Sequence, residues 1–287
     1  MEYCLQIESL SKDYKSFKLN NININIPSGS IVGLIGENGA GKTTTIKLIL
    51  NLIKRDKGKI TIFGMDNIKD EKEIKEQIGV VFDESYFHDM LNVLEVEKML
   101  KNVYKNWDNS LYKQYIEKFQ LPWNKIIKDF SRGMKMKLSI AAALAHHPKL
   151  LILDEATSGL DPIVRNEILD IFYDFIQDDN HSILISSHIT SDLEKIADYI
   201  TFIHNGEILL SAEKDDLIEN YLIIKCSLSD YEMIDKHDII GKRKNAFGYE
   251  LMIHINQYNK NKYNNFVKQK VSLEEILLFY VKEGIKC

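Results

Sequence analysis

Apolar and polar positions alternate over residues 3–7 and again over 22–26, the period-two pattern of half-buried strands. Ile31-Val32-Gly33-Leu34-Ile35 is instead a near-continuous apolar run, as expected of a parallel strand covered on both faces. A glycine-rich turn follows, and Lys42 to Leu52 then carries apolar residues at helical spacing. Ile60-Thr61-Ile62-Phe63 and Ile78-Gly79-Val80-Val81-Phe82 are further strand candidates.

From Asp83 to about Ala145 the periodicity becomes helical. Asn92 with Glu95 three residues on forms a capping-box pattern, and helices are predicted near 110–119 and 133–145. Strands return at Leu150–Leu153 and Ser182–Ser186. The strand Tyr199–His204 meets Asn205-Gly206, a type I′ hairpin signal, before a second strand from Glu207. Beyond about Leu222 the pattern no longer extends a doubly wound core. Tyr249–Ile255 alternates like a strand, Gln257–Lys270 is polar, and Ser272 with Glu275 caps a last helix over Ile276–Lys282, with Gly284 as its stop. The expectation is a single α/β core over 1–220 with a helical subdomain inserted at about 84–145, followed by a small α+β C-terminal extension over 221–287.

Composition narrows the function classes. A chain of 287 residues, 45% hydrophobic and 28% charged, can bury a sizeable core. A net charge of -5 gives no electrostatic footprint for nucleic acid. Cys4, Cys226 and Cys287 are widely spaced, so neither a disulfide framework nor a metal site is indicated, and a reducing cytoplasm is the simplest setting. Charge enters the N-terminus too early for a secretory signal. No apolar run reaches the roughly 18 residues of a membrane span; the richest stretch, Ser139–Leu153, is broken by His146-His147-Pro148-Lys149. The adjacent pair His146-His147 gives no metal site, because neighbouring helical residues do not share a face.

Gly36-Glu37-Asn38-Gly39-Ala40-Gly41-Lys42-Thr43 fits GxxxxGK[ST], after a buried strand and at the start of a helix. Its glycines let successive backbone N–H groups turn toward phosphate, and the helix adds its positive N-terminal end. Lys42 is expected to reach the β- and γ-phosphates, Thr43 to offer its hydroxyl to Mg²⁺, and Thr44 to bond the α-phosphate. Leu150-Leu151-Ile152-Leu153-Asp154-Glu155 is an apolar strand ending in two carboxylates. Asp154 is placed to hold Mg²⁺ through water. Glu155, on the other side of the strand by alternation, is the candidate to orient or deprotonate the attacking water.

These motifs occur in many phosphate-loop ATPases, but four more stand in order with them. Phe130-Ser131-Arg132-Gly133-Met134 precedes the second carboxylate strand, Ser158-Gly159-Leu160-Asp161 follows Glu155, His188 follows the strand Ile183–Ser186, and Tyr14 stands between the first two strand candidates. Taken singly, Ser131 reads as a plain N-cap, His188 as a structural histidine and Tyr14 as a strand-edge aromatic. Together the six elements, spread over residues 3–215, resemble the nucleotide-binding subunits of ATP-binding cassette (ABC) transporters.

The resemblance implies a mixed-sheet core with an N-terminal antiparallel β-subdomain. It implies Tyr14 stacking on adenine and Gly36, Asn38, Gly39, Ala40, Gly41, Lys42, Thr43 and Thr44 around the phosphates. Thr43, Asp154 and Asp83 would stand at Mg²⁺, with Glu155, His188 and Lys42 as the catalytic set. Ser131 and Gly133 would touch the γ-phosphate of the nucleotide held by the opposite subunit, and Asp161 would stand among the nucleotide-binding residues. The implied assembly is a homodimer, or a heterodimer with another ATP-binding subunit, acting with a separate transmembrane permease subunit at the inner face of the cell membrane. The implied function is ATP-driven translocation; a soluble regulatory ATPase is the alternative. The chain departs from the family pattern at Asp83, where glutamine is usual, and at Arg132 and Met134 in the signature. This variant signature resembles that of bacterial exporter ATPases for drugs, bacteriocins and peptides.

Overall fold

A computed structural model of the chain describes residues 2–232, 234–255 and 262–282. The N-terminal part is an antiparallel sheet in the order β2-β1-β4-β5, built from β1 (Tyr3–Tyr14), β2 (Phe17–Pro27), β4 (Lys57–Ile62) and β5 (Met65–Asp66). In β2 the alternation is literal: Ile22, Ile24 and Ile26 are buried while Asn23 and Asn25 are exposed. Both long strands run further than their clean alternation. The register shifts between Ile7 and Leu10, near Ser9 (φ 50°) on β1 and Asn21 (φ 51°) on β2. A bulge with left-handed residues breaks the period of two without ending the strand.

The central sheet has the order β10-β9-β3-β8-β7-β6. Its parallel strands are β3 (Ile31–Ile35), β6 (Ile78–Val81), β7 (Leu150–Asp154), β8 (Ser182–Ser187) and β9 (Tyr199–His204). The edge strand β10 (Glu207–Glu213) runs antiparallel to β9 through the Asn205-Gly206 turn, whose φ values of 47° and 77° match the I′ geometry. Every residue of β3, β7 and β8 is buried, which explains the apolar runs Ile31–Ile35, Leu150–Leu153 and Ile183–Ile185. Helix α1 (Lys42–Ile49) follows β3, and the short α2 (Glu71–Lys75) precedes β6. One face of the sheet joins α1 and the N-terminal sheet in a shared core, through Val32, Leu34, Ile46 and Ile152.

The insert contains α3 (Val93–Lys101), α4 (Asn109–Lys118) and α5 (Arg132–Leu144). Asn92 caps α3 with both bonds of the capping box, as its spacing predicts. Tyr112 of α4 is fully buried and donates its hydroxyl to Val93 O (3.0 Å); burial pushes this phenol up, so it remains a protonated donor. His146 is buried just beyond α5, stacked on Tyr104 with its Nε2 2.9 Å from Ile78 O, a structural use of that side chain. Helices α6 (Pro162–Phe175) and α7 (Thr190–Ile196) complete the second face.

After α8 (Lys214–Asn220), the C-terminal region forms a four-stranded antiparallel sheet, β12-β13-β11-β14. Its elements are β11 (Tyr221–Cys226), α9 (Leu228–Tyr231), β12 (Ile239–Asn245), β13 (Gly248–His254), β14 (Val267–Lys270) and α10 (Leu273–Lys282). Ser272 and Glu275 cap α10 reciprocally. The predicted stop at Gly284 and part of the polar stretch after Gln257 lie outside the described residues. Ile224, Leu251, Ile253 and Tyr263 make a small local core. Leu273, Ile276, Phe279 and Tyr280, however, belong to the main core together with Leu193 of α7. The amphipathic face of α10 is visible in the sequence; that it docks on the main core is not.

Candidate functional site

The glycine-rich loop leaves β3 at the middle of the central sheet, between β8 and β9. At Gly36 a Cβ would lie 2.3 Å from Ile203 O, so no side chain fits. Gly41 starts α1 at φ 119°, and a Cβ there would press on Leu19, Ile203 and Phe17. The helix N-terminus therefore carries no side-chain cap, and its first N–H groups are left to an anion. Asn38, Gly39 and Thr43 are exposed along this loop, Thr44 is half-buried, and Ala40 is buried beneath it.

Lys42 is 4% exposed. Its Nζ donates to Gly36 O (2.7 Å) and Glu37 O (3.2 Å) and lies 3.1 Å from Glu155 Oε1. The other carboxylate oxygen of Glu155 is 2.6 Å from His188 Nδ1. Because a carboxylate only accepts, Nδ1 carries the proton, which leaves His188 Nε2 for another partner. His188 is 41% exposed at its side chain. A lysine, a glutamate and a histidine thus form a continuous chain over the phosphate loop.

Glu155 reaches this place by a route that strand alternation does not describe. It lies just past β7 at φ 53°, the left-handed region, held by its N–H donating to Ser186 O (3.1 Å) and Ser186 Oγ (3.2 Å). The expected divergence of Asp154 and Glu155 is real, but a turn pinned by β8 produces it. Ser186 itself was not singled out by sequence; its Oγ also donates to Asp154 Oδ1 (2.5 Å). The polar Ser186-Ser187 end of an otherwise apolar strand was the available signal.

Asp154 is 2% exposed. Burial pushes its carboxyl above the ordinary range, Asp83 and Glu155 push it further, and hydroxyls of Ser186 and Thr43 hold it back. A divalent cation would relieve this clustering of anionic oxygens, and the donor set of carboxylates and a hydroxyl suits Mg²⁺. Among the described residues no three His, Cys, Asp or Glu side chains form a metal cage. Mg²⁺ needs none, since it keeps waters and phosphate oxygens as ligands.

Tyr14 pairs with Phe17 across the β1–β2 hairpin, and Phe17 packs against Gly41, so the hairpin tip adjoins the phosphate loop. Tyr14 is exposed, with Lys12 Nζ 5.5 Å from its ring centre.

Ser131, Gly133 and Asp161 form a separate group at the starts of α5 and α6. Ser131 Oγ accepts from Met134 N–H (3.2 Å), while Asp161 Oδ1 accepts from Ile163 and Val164 N–H (3.1 Å each) ahead of Pro162. A Cβ on Gly133 would touch Val164 at 3.4 Å, and the Arg132 guanidinium lies against Gly159. Among the described residues, no hydrogen bond or ion pair joins this group to the Lys42–Glu155–His188 chain.

Comparison with known proteins agrees with this geometry. The family described as "ABC transporter" matches residues 19–158. The bacitracin transport ATP-binding protein BcrA of Bacillus licheniformis is 39% identical over 236 residues, covering 80% of this chain and 76% of that protein. The lantibiotic transport ATP-binding protein SrtF of Streptococcus pyogenes is 37% identical, covering 74% of this chain and 91% of its own. Among solved structures, an ATP-binding subunit of an ABC transporter superposes with a TM-score of 0.68 at 27% identity, over 75% of this chain and 92% of that one. A phosphate loop whose lysine meets the carboxylate after a second buried strand, in a chain this similar to transport ATP-binding proteins, makes the protein a member of the ABC transporter family, one of its ATP-binding, ATP-hydrolysing subunits.

Proposed function

We propose that the chain hydrolyses Mg²⁺-bound ATP between two subunits and drives a separate membrane subunit that exports a peptide antibiotic of the bacitracin or lantibiotic class. The observation that carries the catalytic part is the position of Glu155, bracketed by Lys42 Nζ at 3.1 Å and His188 Nδ1 at 2.6 Å. A terminal phosphate competes with Glu155 for the Lys42 ammonium. Once Lys42 turns to the phosphate, Glu155 keeps His188 and accepts a proton from water as that water attacks the γ-phosphorus and ADP leaves. Mg²⁺, held by Thr43, Asp154 and Asp83, would neutralise charge on the phosphate oxygens. Tyr14 offers its exposed ring to adenine. Ser131, Gly133 and Asp161 face the nucleotide of the other subunit, which is either a second copy or a related chain.

The cargo class rests on the names of BcrA and SrtF and on the variant signature Phe130–Met134. A membrane subunit has a fitting surface between core and insert. There a groove of 720 Å³ is lined by Leu52, Val80, Phe82, Val103 and Tyr104 and also by the charged side chains of Lys69, Glu71, Lys72, Lys75 and Glu76, with Tyr86 and Met99 in the adjoining cavity. Leu52, Tyr86, Met99 and Val103 are exposed, an apolar patch suited to a partner. No helix among the described residues is long and apolar enough to cross a membrane; in this proposal the membrane partner holds the chain at the inner face. Co-expression with the membrane subunit should raise bacterial resistance to bacitracin or a lantibiotic, and Glu155→Gln should remove the gain. Resistance that persists with Glu155→Gln, or no antibiotic phenotype in an assembled complex, would contradict the assignment.

A further inference from the structure

Asp192, in the first turn of α7, is 2% exposed, and its Oδ2 accepts no hydrogen bond. A carboxylate so placed is destabilising unless a cation answers it. Among the described residues the cation that does so is Arg165 of α6, whose Nε stands 3.9 Å from Asp192 Oδ2 and is itself buried without a hydrogen-bond acceptor. That separation is about 1 Å longer than an N–H···O bond, so the pair attracts without locking.

Both ends of this pair are tied to segments that matter for hydrolysis. Arg165 donates from Nη2 to Leu160 O (3.3 Å) and from its backbone N–H to Asp161 O (3.0 Å), the last two residues of the Ser158–Asp161 segment. Asp192 lies four residues beyond His188, joined to it through the extended Ile189 that precedes α7, and His188 reaches Glu155. The far end of α7 is fixed independently. Glu194 Oε1 accepts the Leu273 N–H at the start of α10 (2.7 Å), Lys214 Nζ donates to Glu194 O (3.1 Å), and Leu193 is buried in the main core. With that end anchored, a pull on Asp192 acts on the start of α7 and, through Ile189, on His188.

We propose that Arg165 is a positioning residue which, through Asp192, couples the Ser158–Asp161 segment to His188 and so sets the His188–Glu155 contact. The proposal rests on the reading of Glu155 and His188 as the hydrolytic pair. Arg165 touches neither; it acts through α7. Displacement of the Leu160–Asp161 backbone moves the guanidinium, the 3.9 Å gap to Asp192 closes or widens, and the start of α7 carries His188 with it through Ile189.

The test uses the purified full-length chain, with ATP turnover and ATP affinity measured separately. Arg165→Ala and Asp192→Asn should each lower kcat about tenfold or more while leaving ATP affinity within about twofold, because only the geometry of the water-activating pair changes. The double variant should be no worse than either single one. Arg165→Lys should recover part of the loss, keeping the charge but not the second donor. In a His188→Ala background, Arg165→Ala should have no further effect, an outcome that a merely structural role would not give. Unchanged kcat in Arg165→Ala and Asp192→Asn, additive losses, or an equal loss in the His188→Ala background would each overturn the link. If Arg165→Ala does not fold, Arg165→Lys and Asp192→Asn decide by the same criteria. Normal turnover in Glu155→Gln defeats the underlying reading instead; a dead Glu155→Gln with a fully active Arg165→Ala defeats only the coupling.

Discussion

The loop around Lys42 and the paired helix starts at Ser131 and Asp161 are both built from helix N-termini, yet they use them differently. Gly41 leaves α1 uncapped, so its leading N–H groups have no side-chain acceptor, and Lys42, Glu155 and His188 are wired to one another above it. At α5 and α6 the cap positions carry Ser131 and Asp161, whose oxygens satisfy their own helices. The first region is a binding site within one chain. The second is an exposed surface, which the proposed function makes half of a site once another chain supplies the nucleotide. On that proposal one site is completed by its own fold and the other by assembly.

The comparison breaks most severely at Lys42. Lys42→Ala removes the cation that reaches the phosphate and leaves Glu155 answered by His188 alone; ATP turnover should fall by about 100-fold or more. A steady-state ATPase assay checks this, and turnover near wild type would show that the first region is not the catalytic one. Ser131→Ala sharpens the contrast. Loss of the cap should lower stability by only about 1 kcal/mol, whereas turnover should drop about tenfold or more if the hydroxyl serves a nucleotide across the interface. Thermal melts and ATPase assays on one preparation separate these effects, and a stability loss without a kinetic loss would reduce Ser131 to a cap.

The smallest expected effect has the opposite sign. Burial raises the Asp154 carboxyl, so the folded state holds that proton more tightly than the unfolded chain does. Its charged form therefore opposes folding at any pH above the ordinary carboxylate range, and the opposition fades as pH falls through that range. Without Mg²⁺ at neutral pH, Asp154→Asn should raise Tm by about 2–4 °C, corresponding to about 1 kcal/mol. The gain should shrink toward pH 4, and added Mg²⁺ with ATP should stabilise the wild type more than the variant. Scanning calorimetry across pH reads all three; a lower Tm for Asp154→Asn at neutral pH would mean the clustered carboxylates are already compensated.

Much of this was legible in the sequence because the signals are local. The buried run Ile31–Ile35 with its glycine loop, the Asn92–Glu95 capping box and the Asn205-Gly206 hairpin each depend on residues a few positions apart. The phosphate-loop and carboxylate residues were legible for the same reason. What escaped depends on contacts between distant segments. Ser9 and Asn21 broke the alternation of strands that nevertheless continue through a bulge. Glu155 is set by Ser186 on the neighbouring strand, not by its own strand's alternation. Arg165 and Asp192 look like ordinary surface charges until α6 and α7 are packed together, and α10 shows its apolar face without showing that Leu193 receives it.

The division between a self-contained site and one completed by a partner is tested most directly by the mass of the Glu155→Gln variant in solution. Light scattering during size-exclusion chromatography with ATP and Mg²⁺ should give twice the mass found without nucleotide, and Ser131→Ala introduced into that variant should return it to the single-chain value. A Glu155→Gln protein that binds ATP yet keeps the mass of one chain, alone and beside its natural partner subunits, would contradict the account.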